Sequence, residues 1–327
     1  MLRKLKLFKI FGLISAILSA ALMIPSLSLA QAYPTKTIEL ITPYPPGGLG
    51  PLVASTVAEE AKKYLNKPVI VVHKPGAAGV IGSYYVAKAA PDGYTLLIHN
   101  PASITTAHLI QKFEFTPLDF EVVGGIVAAP VTLTVRTDAP WKNLTHLIRY
   151  AKANPGLVTC GNPGTNSATH LHAIQFERFA GIKLNHVPFK GSADAVTNLA
   201  GGHTQCVVRY PGEGEPLVEA GKVRNLSVFD SRRCKFYPNT PTSKEEGYDL
   251  VLKSWRVIMA PKGTPKPIIA TWENILQKTA PDPAFIAKAD KLKLGIEFRS
   301  GEDVIKDVRR DMKEFSDLVK ELNLKEN

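Results

Sequence analysis

The stretch Ile38 to Pro51, IELITPYPPGGLGP, constrains this chain more than any other. A short apolar run, Ile38-Glu39-Leu40-Ile41, ends in Thr42-Pro43-Tyr44-Pro45-Pro46 and two glycines, and a helical pattern follows from about Leu52 to Tyr64. Strand, Pro/Gly-rich turn, helix is how an α/β domain builds a ligand site. The strand delivers the chain to the sheet edge, and glycines let the backbone come close to a ligand. The new helix offers unpaired N–H groups and the positive end of its dipole. An anion-binding loop is the expectation.

The start of the chain reads as a leader. Arg3, Lys4, Lys6 and Lys9 are followed by the nearly all-apolar run Phe11 to Ile24 and by the small residues of Ala30-Gln31-Ala32. That is the three-part pattern of a secretory signal peptide over residues 1–32, with cleavage before Gln31 or Tyr33 and an exported mature chain. About 295 mature residues can bury two ordinary cores, so two lobes are expected. The formal charge of +11 drops with the leader: 40 basic residues become 36, against 29 acidic ones, leaving +7. The excess is spread along the chain, without the basic run of a nucleic-acid arm, so no nucleic-acid partner is expected. Cys160, Cys206 and Cys234 have neither metal spacing nor an even count. Cys160 with Cys206 is the pair an oxidising compartment could join, and buried free thiols are the other reading.

Strand-like runs and glycine-bearing turns then alternate. Pro68–Val72 is a continuous apolar strand leading to HKPGAAGVIG, His73 to Gly82. Its glycines do not have dinucleotide-fingerprint spacing, so tight turns and close helix packing explain them. Thr95–Ile98 ends at His99-Asn100-Pro101-Ala102-Ser103, which puts Asn100 and Ser103 at the same sheet edge as Gly47 and Gly48. Val127–Arg136 is a long β-branched strand, and a second series follows it. Leu157–Cys160 runs into the polar loop and helix Gly161–Phe176, Leu184–Phe189 into Lys190-Gly191-Ser192, and Thr204 to Arg209 closes the series. Val223–Phe229 and Ser254–Met259 lead the chain back toward the first half. The expected fold class is α/β with two lobes facing each other, each a mostly parallel sheet flanked by helices. Residues 33–130 and 230–327 would form lobe 1, and 131–229 lobe 2.

Taken in order, the motifs resemble those of the tripartite tricarboxylate transporter receptor family, the Bug-type extracytoplasmic solute-binding proteins. They are YPPGG at 44–48, KPGAAGVIG at 74–82, AKAAPDGYTLL at 87–97, PGTNSATHL at 163–171 and HVPFKG at 186–191. Gly201-Gly202, PNTPTSKEEGY at 238–248 and APKGTP at 260–265 complete the series. The resemblance implies a periplasmic-binding-protein (Venus-flytrap) fold, a small organic carboxylate as ligand, and delivery to the membrane permease subunits of such a transporter. No cofactor is expected, and a monomer is. It also implies that two loops grip the carboxylate: Pro45 to Leu49, including Pro46, Gly47 and Gly48 beside Tyr44, and Gly164 to His170, including Thr165, Asn166, Ser167 and Thr169. Lys190 and Gly191 open a further helix at the same edge. Many relatives carry an acidic residue where this chain has Pro51, which argues against an amino-acid ligand. Arg209-Tyr210 stands where relatives often have an acidic or amide residue, so Arg209 is a candidate for a second carboxylate. Arg256 is a weaker one.

Enzyme chemistry lacks its signatures. His170 and His172 are two apart, on different helix faces, without the spacing of a helical zinc pair. Ser167 lacks the G-x-S-x-G elbow. A sensor that presents its loaded form to a membrane signalling partner is the alternative to transport. N-terminal sequencing of the exported protein is expected to begin at Gln31 or Tyr33; an unprocessed Met1 would overturn the leader.

Overall fold

The computed structural model describes residues 33–110, 113–306, 308–309 and 312–313. The leader and its cleavage region lie outside the described residues.

The first half opens β1 (Ile38–Thr42), α1 (Leu49–Ala61), β2 (Val69–His73), α2 (Val80–Ala87), β3 (Thr95–His99) and α3 (Pro101–Ile110). β1 pairs in parallel with β2 on one edge and β3 on the other. It is buried along nearly its whole length, which is why it reads as a continuous apolar run. α1 lays Val53, Ala54, Val57, Ala58 and Ala61 against the sheet, a stripe at helical spacing.

The 17-residue strand β4 (Phe120–Arg136) follows, then α4 (Leu144–Ala153), started by Asn143, whose side chain accepts from His146 N. Next come β5 (Thr159–Asn162), α5 (Ala168–Ala180), β6 (Asn185–Pro188), α6 (Ser192–Ala200), β7 (Cys206–Arg209), α7 (Glu215–Glu219) and β8 (Val223–Phe229). The chain ends its described course with β9 (Lys253–Pro261), α8 (Lys266–Thr279), α9 (Pro283–Lys291) and β10 (Ile296–Ser300).

Along the sheet the order is β2-β1-β3-β9-β4-β7-β5-β6, with β8 and β10 also on β4. Two parallel triplets, β2-β1-β3 and β7-β5-β6, carry the expected α/β winding. Between them β9 and β4 run antiparallel, so the sheet as a whole is mixed. β4 begins seven residues before the Val127 expected from sequence. Its early part contains Gly124, where a Cβ would come within 2.9 Å of Arg299 O on β10, so the glycine marks a close strand approach.

Cys160 and Cys206 face each other across β5 and β7, and all three cysteines are free and buried. No helix among the described residues is long and apolar enough to cross a membrane.

The loops at the carboxyl ends of β1, β3, β5, β6 and β7 gather at one place. The last of them, Tyr210–Gly214, is fixed sterically. Gly214 has φ +64° and a Cβ there would lie 2.5 Å from Val196 Cγ1, whereas Gly221, also at φ +64°, has open space. Gly214→Ala is therefore expected to destabilise by about 1–3 kcal/mol beyond Gly221→Ala in denaturant unfolding, since both replacements carry the same backbone strain.

Candidate functional site

Two adjoining cavities share Tyr44, Pro45 and Pro163 in their walls. The outer one, ≈ 600 Å³, has walls of Pro45, Pro75, Ala77, Ala78, Val80 and Phe189, with Thr165, Asn166 and Lys190 as its main polar groups. The inner one is only ≈ 20 Å³, about enough for one water. Tyr44 stands between them, donating its hydroxyl to Ala78 O at 2.7 Å.

The inner chamber is polar and buried. α1 brings Gly48 at its N-cap, Leu49 and Gly50; the end of β3 and start of α3 bring His99, Asn100 and Ser103. The start of α5 brings Ser167 and Thr169, α6 brings Ser192, the turn after β7 brings Tyr210 and Glu213, and β9 brings Arg256. Arg256 is 6% exposed. Its Nη1 donates to Ser254 Oγ at 2.6 Å and Trp255 O at 3.0 Å, and its guanidinium lies 5.1 Å from the Tyr210 ring centre. Among the described residues no carboxylate lies within ion-pairing distance of it. The hydroxyls of Ser103, Ser167 and Thr169, all buried, have no hydrogen-bond partner among the described residues. Ser167 is also the N-cap of α5 without using its side chain there, so the first-turn N–H groups of that helix face the same space.

Glu213, 2% exposed, is the chamber's anion. Oε1 accepts from Leu49 N at 3.0 Å and Ser192 Oγ at 2.8 Å, and Oε2 accepts from Tyr210 N at 3.0 Å. The α1 start expected to receive a ligand anion thus already holds a carboxylate of the chain.

Burial, with the Arg256 charge second, lowers His99 and His172 each to about 3. Burial pushes Tyr210 up to about 12, and Tyr44 higher still, with Arg256 opposing in both. At neutral pH the histidines are uncharged and the tyrosines keep their protons. Among the described residues no group of three His, Cys, Asp or Glu side chains could hold a metal ion.

A family profile described as tripartite tricarboxylate transporter family receptor matches residues 53–324. The chain belongs to that family. This receptor is 35% identical to the protein BugT of Bordetella pertussis over 275 residues, 79% of this chain and 82% of BugT. Its fold is that of the periplasmic binding protein BugD, with TM-score 0.82 and 29% identity over 90% of this chain and 100% of that one. An R. palustris protein solved with adipate gives 0.82 and 27% over 88% and 97%.

Within the receptor, Tyr44, Gly48, Leu49, Asn100, Ser103, Ser167, Thr169 and Tyr210 line the inner chamber. Tyr44, Gly164, Thr165, Asn166 and Lys190 line the outer one. Pro46, Gly47, Gly191 and His170 line neither; they shape the walls. Gly47, at φ +94°, would put a Cβ 3.0 Å from Ala193, and Gly191 would put one 2.9 Å from Pro45. His170 Nδ1 accepts from Asn166 N at 3.0 Å, holding the left-handed turn at Asn166.

Arg209 does not face the site. It is fully buried, and its donors go to Thr134 Oγ1, the carbonyls of Tyr210 and Glu213, and Asn225 Oδ1 at 2.7–3.1 Å. Its role is to clamp the turn that carries Glu213. Arg256, the weaker of the two candidates from sequence, is the arginine that lines the chamber. Glu213 carries no local motif that would have revealed it; Ser192 and the 75–80 wall lie in stretches the sequence singled out, as a helix opening and a glycine-bearing turn, without assigning them to the site.

The neutral histidines set an acid sensitivity. An unfolded chain protonates them near pH 6.5. The folded one resists protonation down to about 3. Stability is therefore full above about pH 6.5 and falls as pH drops through that window, by up to about 1.4 kcal/mol per unit for each histidine. Denaturant unfolding at several pH values is expected to show this slope, and His172→Gln to flatten it.

Proposed function

We propose that this receptor captures a small organic carboxylate between two lobes in the periplasm and delivers it to the membrane subunits of a tripartite tricarboxylate-type transporter. One observation carries the reading. Among the described residues Arg256 is buried without an acidic partner, beside three buried hydroxyls without hydrogen-bond partners and the start of α5, whose N-cap side chain makes no capping bond. A guanidinium fork, hydroxyl donors and a helix start are what a carboxylate requires.

The lobes would comprise 33–130 with 230–327, and 131–229. The exchange of partners on β4 supports that division: residues up to Pro130 pair with β9, and Val131 onward pair with β8 and β7. The family and the adipate-bound neighbour support the ligand class. Micromolar binding requires about −8 kcal/mol. A helix start supplies roughly 0.3–2 kcal/mol, so the charge-assisted bonds to Arg256 and water exclusion on closure supply most of the rest. A permease that favours the closed, loaded form would read occupancy from shape.

The test is a thermal-shift and calorimetric panel of mono-, di- and tricarboxylic acids on the mature protein. At least one acid is expected to raise the melting temperature, and Arg256→Met to weaken its binding by about tenfold to a hundredfold. Because the unloaded arginine lacks an acid, that variant should keep or gain stability without ligand. No response to any acid would overturn the reading.

A further inference from the structure

We propose that Glu213 is the receptor's own second carboxylate: it fills one of two anion seats and restricts the ligand to a single carboxylate on an apolar body. The inference rests on the carboxylate-receptor reading above and names the class of acid that reading leaves open.

The first seat is the Arg256 side of the chamber, with Ser103, Ser167 and Thr169. The second is the start of α1. Pro51 has no N–H, and Leu52 N donates to Gly48 O at 3.1 Å, so the helix start offers just Leu49 and Gly50 as donors. Glu213 already takes Leu49 N, and it takes Ser192 Oγ and Tyr210 N as well. These three bonds are those a ligand carboxylate would make there. A ligand's second carboxylate would meet a charge of its own sign and find Leu49 N, Ser192 Oγ and Tyr210 N already taken.

Glu213 is built in rather than loosely placed. Arg209 Nη1 donates to Glu213 O at 2.7 Å and Tyr210 O at 3.1 Å, clamping both ends of the turn. Gly212, at φ +85°, passes so close to Leu292 O that a Cβ would lie 2.3 Å from it. The adjoining outer cavity supplies the complement. Its walls include Pro45, Pro75, Ala77, Ala78, Val80 and Phe189, which suit an alkyl or aryl body, while its polar groups are Thr165, Asn166 and the solvent-exposed Lys190.

Isothermal titration with two matched pairs, hexanoate with adipate and benzoate with terephthalate, tests this. The wild type is expected to bind the monocarboxylate of at least one pair, and to bind it tighter than its dicarboxylate by tenfold or more. Glu213→Ala vacates the seat and should raise dicarboxylate affinity relative to its monocarboxylate at least tenfold. Glu213→Gln keeps the shape and guards against misfolding; it removes the charge, turns one accepting oxygen into an NH2 group, and should move the ratio the same way by less. A wild type that prefers the dicarboxylates, or variants with an unchanged ratio, overturns the role of Glu213 while leaving the receptor reading intact. Failure of the wild type to bind any acid, in these pairs and in the wider panel, overturns the receptor reading and this inference with it.

Discussion

A guanidinium held away from water without a carboxylate is expensive, by several kcal/mol after protein relaxation. Among the described residues Arg256 is such a group, and it lines the inner chamber. Ser254 and the Trp255 carbonyl take one nitrogen, and the Tyr210 ring faces the cation. The titratable neighbours are kept from adding to its charge: His99 and His172 stay neutral, and their low proton affinity reflects burial and Arg256 itself. Polar side chains of Asn100, Ser103, Ser167, Thr169 and Ser192 line the space beside the cation.

The two buried arginines show how identical side chains acquire different roles. Arg209 commits Nε and both terminal nitrogens to protein acceptors, so it has little left to offer a visitor. Arg256 commits Nη1 to two acceptors and lines the chamber. One therefore acts as a clamp beneath the chamber, and the other lines it. What separates them is the local supply of acceptors: a turn with two inward carbonyls beneath β7, and a serine-lined strand on β9.

Much of this was legible in the chain. The turn after β1, the polar ends of β3 and β5 and the helix starts beyond them follow from local chemistry, and they do converge. The early half of β4 and the edge strand β10 were not legible. Gly124-Gly125 interrupts the β-branched pattern there, for the sake of strands that arrive from far along the chain. Arg209 at a strand end reads as a surface group because the side-chain acceptors that bury it come from β4 and β8. Glu213 is the clearest limit. Its bond to Leu49 spans 164 positions, and nothing in the sequence around either residue signals the other.

The long strand β4 has a consequence for how the chain assembles. Residues 120–136 are flanked on both sides, by β9 and β10 in the first half and by β7 and β8 in the second. Every one of those partners lies later in sequence, between residues 206 and 300. The middle of the sheet thus consists of pairings between distant stretches, and loop-closure entropy must be overcome before they repay it. The β2-β1-β3 unit can order early from local contacts. The strand that joins the two triplets must wait for the last third of the polypeptide, so a chain truncated before β9 would retain its ligand loops and lack the scaffold that brings them together.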